Sequence, residues 1–242
     1  MIRLAAGVGP ATCTSYSSRM AKRNDATRTR LSREAIIASA VSLADTEGLE
    51  AVTIRRLAQE HGVTPMAMYW HFNDKDSLLD GLADHLIGSV KLPDPGDGPW
   101  DEQLRDVLHA VLEAIRPHPA FAGLVLRRIL AAEAGLRIAE RVLDLLRRAG
   151  FAAGRAAEVG TFLVCAIVAL VASDPTPGPW PPGDGRDQQI RDKRARLESL
   201  PPDRYPNVIA AGPDLVVCRD GDEYFALNLD LLVQGVRGIQ LG

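Results

Sequence analysis

The chain has 242 residues, 46% of them hydrophobic and only 5% aromatic, with a formal net charge of −3. That length and apolar content suffice for the core of one large or two modest domains, built mainly from Ala, Leu, Val and Ile. Cys13, Cys165 and Cys218 are odd in number and far apart, which excludes a disulfide framework or metal-ligand spacing and fits a reducing cytoplasm.

The small net charge hides an asymmetry. Residues 1–31 carry Arg3, Arg19, Lys22, Arg23, Arg28 and Arg30 against Asp25 alone, while residues 32–92 carry five cations against nine acids. A basic arm without helical period, expected to be disordered in isolation, therefore precedes a mildly acidic domain. MIRLAAGVGPA is too short and too broken by Gly and Pro for a convincing signal peptide, and Met20 offers an alternative start.

Order is predicted from Ser32, an N-cap for a helix whose stripe Ile36, Ile37, Ala40, Val41 and Ala44 runs down to Gly48. Thr53 caps a second helix with Ile54, Leu57 and Ala58 on one face, Gly62 turns the chain, and Thr64-Pro65 starts a third. A fourth helix begins around 73–76 and runs to about Val90. LPDPGDGP (92–99) is the clearest domain boundary. Further helices are predicted over 100–116, about 120–131, 134–149 and 154–172. After the Pro/Gly loop 174–185 come a charged helix at 186–199, a short one at 206–211 and a last one at 223–240. LVVCR (215–219) is a doubtful strand. Thr161–Ala172 falls short of the roughly 20 apolar residues of a membrane span and reads as a fully buried helix.

Thr53–Lys75, TIRRLAQEHGVTPMAMYWHFNDK, is a helix-turn-helix. A helix fits the major groove of B-DNA with its first residues toward the base edges, which points Thr64, Pro65, Met66, Ala67 and Tyr69 at bases. Met68 and Phe72, four apart, turn back into the core. His71 and Lys75 suit phosphates, Arg55 can reach a guanine, and Arg56 is expected to pair with a neighbouring acid. A domain of net −4 needs further cations, so Arg23, Arg28 and Arg30 of the arm are expected on the backbone or in the minor groove.

In the second domain Leu104, Val107, Leu108, Val111, Phe121, Val125 and Ile129 are candidate pocket walls, although helices bury such faces regardless and at least half must be plain core. His109 and Arg128, with His118, Glu133 and Arg127, are candidate polar contacts. Such walls favour a small, largely apolar ligand. Two apolar faces, Val159, Leu163, Ile167 and Leu170 on one helix and Phe225, Leu229, Leu232 and Val236 on the last, fit either an intramolecular core or an isologous four-helix dimer interface.

The stretch 32–90, with LAQEHGVTPMAMYWHFNDKDSLL at its centre, resembles the TetR family of bacterial transcription regulators. The resemblance implies that Tyr69, Trp70, His71 and Lys75 meet DNA phosphates, that Thr53 caps its helix, and that Arg55 reads a base. With less specificity, the Trp-start helix at 100 and the terminal FALNLDLLVQGVRG are similar to the tetracycline-repressor branch. That implies an all-α fold: a three-helix DNA-binding domain (32–92) behind the arm (1–31), and a helical effector and dimerisation domain (99–242). It favours the dimer reading of the two faces, and a homodimer that releases a palindromic double-stranded DNA operator when a small-molecule effector enters. The histidines of the branch's tetracycline–magnesium site are missing, position 91 is Lys, and Val107 and Val111 stand where polar contacts are expected, so tetracycline is not the expected effector. No nucleophile–base pair, metal spacing or phosphate loop suggests an enzyme or a cofactor. An effector-independent DNA-binding protein and an activator using the same contacts stay open.

Overall fold

A computed structural model describes residues 31–173, 184–216 and 221–240. The arm cations Arg23, Arg28 and Arg30, and residues 217–219 of the doubtful strand, lie outside the described residues.

All regular structure among the described residues is helical. Helix α1 (Arg33–Glu47) opens where the Ser32 side chain accepts the Ala35 N–H at 3.1 Å. After a 3₁₀ turn at Leu49–Ala51 come α2 (Ile54–Glu60), α3 (Pro65–Tyr69) and α4 (Lys75–Ser89). These enclose one apolar cluster around Ile36, Ala40, Leu57, Met68, Phe72 and Leu82. Burial of such side chains contributes roughly 1.5–3 kcal/mol each, which is what holds helices as short as α2 and α3 in place.

Residues 92–98 break the helical period but are not loose. The Gln103 side-chain N–H₂ donates to the Gly98 carbonyl at 2.6 Å, and Arg148 donates to the same oxygen at 3.0 Å. Beyond them lie α5 (Trp100–Ile115), a 3₁₀ turn at Pro119–Phe121, α6 (Ala122–Arg128), α7 (Glu133–Arg148) and α8 (Ala153–Ala172). Then follow α9 (Asp184–Glu198), α10 (Pro206–Val216) and α11 (Gly221–Gln240). Helices α5–α8 and α11 surround a second cluster that includes Leu104, Leu108, Ile138, Leu163, Ile167 and Phe225. Helices α9 and α10 pack on each other.

Four expectations need correction. The helix expected over 120–131 is a 3₁₀ turn and a short α-helix, followed by turns at 129–132. The helix at 206–211 continues through Pro213 to Val216, with Leu197 of α9 packed over Gly212, so 215–216 are helix and not strand. Helix α8 is not fully buried: Val159, Leu163, Ile167 and Val171 face the core, but Phe162 is 61% exposed and Cys165 and Ala169 are also exposed. It also starts earlier than the apolar run, and at 20 residues it is long and apolar enough to reach across a bilayer by composition alone. Here it packs against α5, α6 and α7 as a core helix of the bundle.

Candidate nucleic-acid interface and effector cavity

The helix-turn-helix is set by local chemistry. Thr53 accepts the Arg56 N–H at 3.1 Å to start α2. Gly62, at φ +62°, takes the left-handed turn that a side chain disfavours. Thr64 accepts the Ala67 N–H at 3.4 Å, and Pro65 begins α3. Met68 and Phe72 are buried, whereas Met66 and Trp70 are 68% and 85% exposed and Tyr69 also faces solvent. Large apolar groups left in water beside a helix-turn-helix are what a partner surface would cover.

His71 follows α3 in a turn whose carbonyl accepts from Arg33 at 3.3 Å. The Arg33 guanidinium also lies 4.5 Å from the centre of the Phe72 ring. Both approach α4 at Gly81, where an added Cβ would stand 3.0 Å from Phe72 and 3.2 Å from Arg33. Sequence reading missed Arg33 and Gly81 because their partners are remote in the chain. At the start of α4 Asp74 accepts the Ser77 N–H at 2.7 Å, which holds its carboxyl below the usual range.

The charges divide cleanly. Arg56 bonds Glu60 at 3.0 Å and Glu47 at 2.8 Å, which raises its pKa and removes it from any ligand. Exposed Arg55 has no such partner among the described residues. Lys75 lies 3.7 Å from the carboxylate of Glu50, itself almost wholly exposed. Glu50 therefore stands where it would compete with any phosphate brought to Lys75. Glu50→Gln is expected to tighten DNA binding about two- to fivefold, as removal of one weak surface pair allows, and most at low salt. Titrating both proteins onto one duplex checks this; equal affinities would exclude competition.

The second cluster holds most of the expected pocket walls as plain core. Leu104, Val107, Leu108, Val111 and Val125 are buried there, and Phe121 is buried instead among the residues of α1–α4. His109 lines a cleft of about 300 Å³ between α5 and α11 with Arg105 and Arg116, whose guanidiniums pair with Asp230 and Asp222. A larger cavity, about 410 Å³, lies between α6, α7 and α8, walled by Leu126, Ile129, Val142, Leu143, Gly160 and Val164. Of the expected ligand contacts, only Arg127 and Ile129 line it. Which helix faces leave a gap depends on how three helices meet, and no single helix pattern carries that.

Arg128 faces the other way from this cavity. It grips α4 through both oxygens of Asp84, at 3.0 and 2.9 Å, and Asp80 at 3.3 Å, with Asp84 raising its pKa. His118 Nδ1 lies 2.8 Å from Asp45 of α1. The expected dimer residues Val159, Leu163, Ile167, Phe225, Leu229 and Val236 are buried in their own protomer, with Leu170 and Leu232 partly so. The outer sides of α8 and α11 instead expose Phe162, Leu227, Leu231 and Ile239. Among the described residues no group of three His, Cys, Asp or Glu side chains could hold a metal ion.

A family model for the tetracyclin repressor-like C-terminal domain matches residues 92–239, and one for bacterial regulatory proteins of the tetR family matches residues 36–82. The chain belongs to the TetR family. An HTH-type transcriptional regulator of Saccharopolyspora erythraea is 30% identical over 135 residues, 56% of each protein, so the chain spans little more than half of that relative. The class C tetracycline repressor of Escherichia coli is 47% identical over 58 residues, 24% of this chain and 26% of that one. Among solved structures, the TetR-family protein ActR of Streptomyces coelicolor in complex with actinorhodin is similar with a TM-score of 0.72 at 28% identity. It covers 88% of this chain and 99% of that one.

Proposed function

We propose that this TetR-family chain is a one-component transcriptional repressor of the cytoplasm. It binds a palindromic operator as a homodimer and leaves it when a small, largely apolar molecule occupies the cavity between α6, α7 and α8. In this reading residues 1–31 are a DNA-tracking arm, 32–92 the DNA-binding domain and 99–242 the effector and dimerisation domain.

The observation that carries it is the double role of α6 and the turn before it. Phe121, Leu124 and Arg128 face the DNA-binding helices, while Leu126 and Ile129 form cavity wall. A ligand that moves this helix shifts the purchase of Arg128 on α4, whose first turn carries Lys75. Operator half-sites lie one helical turn or a multiple apart, so a small tilt of two heads misaligns both. The ligand can shift this equilibrium only by its preference for the unbound geometry. The solved ActR structure with actinorhodin supports a ligand site in this architecture.

A gel shift on DNA from immediately upstream of the gene tests it. The wild type is expected to give a competitor-resistant band, and His71→Ala and Lys75→Ala each to weaken it about tenfold, as loss of a hydrogen bond to a charged group allows. Band positions and midpoints unchanged in both variants would reject the assigned DNA face.

A further inference from the structure

The α6–α7–α8 cavity also indicates the chemistry of its occupant. Its walls are aliphatic, with Leu130 exposed at the rim, and its polar atoms come from Thr161, Cys165 and one charged side chain, Arg127. No acid lines it. Arg127 has no hydrogen-bond or ion-pair partner among the described residues, in contrast to its neighbour Arg128, which holds two aspartates. A cavity with one unpaired guanidinium and no carboxylate carries a net positive charge beside apolar walls. Guanidinium presents a planar fork that matches a carboxylate or sulfonate, and Arg127, an exposed residue, offers it at the solvent-facing edge of the cavity.

We propose that the effector is an amphipathic organic anion. Its apolar body fills the space between Leu126, Ile129, Leu143 and Val164, and its acidic group lies on Arg127. This rests on the effector reading given above. A cationic amphipath would meet Arg127 with no compensating acid and is excluded by the same argument. With Arg127 and Arg128 adjacent on α6, the charge that recognises the ligand sits one residue from the charge that grips the DNA-binding domain.

The test uses the full-length protein and two probes sharing one aromatic body, 1-anilinonaphthalene-8-sulfonate and the uncharged N-phenyl-1-naphthylamine, followed by fluorescence. The sulfonate is expected to bind about two- to fivefold more tightly, the effect of one partly exposed ion pair. Arg127→Gln should erase that preference, and Arg127→Lys should keep part of it. Ala157→Trp places an indole in the cavity from an exposed position and should block both probes, with an unchanged circular dichroism spectrum showing that the fold is kept. Equal binding of the two probes, both blocked by Ala157→Trp, would overturn the anion while leaving the cavity. Indifference of both probes to Ala157→Trp would overturn the cavity reading and the anion with it.

Discussion

Phe162→Asp combined with Leu231→Asp is expected to turn a dimer into a monomer and to abolish tight operator binding. Phe162 and Leu231 are each 61% exposed in the single protomer, and Leu227 lies one turn from Leu231 on the same side of α11. Monomers seldom leave such a patch in water. In a two-fold interface each residue is used twice, so two substitutions place four carboxylates in an apolar seam. Burying each Phe or Leu contributes about 1.5–3 kcal/mol, and the added charges must also be desolvated, so a dissociation constant at least 100-fold higher is expected. A lone head contacts one half-site and loses the gain of simultaneous engagement, so operator affinity falls further than dimer stability alone suggests. Sedimentation at micromolar protein reads the mass. Leu215→Asp, a change at an equally exposed leucine on α10, is the control expected to stay dimeric. A double variant that sediments as wild type would place the dimer contact elsewhere.

That prediction also shows where the sequence stops being informative. The helix-turn-helix was legible because its signals are local: Thr53 and Thr64 cap, Gly62 turns, Pro65 starts, and Met68 and Phe72 repeat at one face. Each acts within four residues, and each has its expected place. Helix α8 offers no such guide. It is apolar all round, so periodicity cannot say which side meets the protomer and which is left for a second copy. Val159, Leu163 and Ile167 lie on the side that packs into the protomer, and Phe162 lies on the outer side. Helix α11 repeats the problem with Phe225 inside and Leu227 and Leu231 outside. The cavity was illegible for a related reason. It exists where three helices fail to close between Leu126, Leu143 and Val164, whereas the apolar stripe of α5 that suggested a pocket is satisfied by ordinary packing. The split role of α6 was hidden too, because Phe121 and Val125 share one apolar run but belong to different clusters.

Phe121 provides the second large effect. It is fully buried in the cluster formed by α1–α4, although it stands more than thirty residues beyond the last of those helices. Leu124 joins it there, and His118 meets Asp45 just before it. The core of the DNA-binding domain is therefore completed by the second domain, and the two should unfold together. Phe121→Ala removes a whole ring from that contact, a change that typically costs about 3–5 kcal/mol. Because the loss falls on the shared face, it should also separate a single urea transition into two, with the DNA-binding helices unfolding first. Leu112→Ala is the matched control: Leu112 is as deeply buried but belongs only to the second cluster. It should lower stability by about 2–5 kcal/mol without loosening the heads selectively. Operator binding gives an independent readout, since heads no longer fixed to α6 lose the set spacing of the dimer. Phe121→Ala should therefore weaken binding to the two-fold operator more than to a single half-site. A variant that unfolds in one transition and weakens both duplexes equally would show that the two domains are coupled by other contacts, with Arg128 on Asp84 the first to examine.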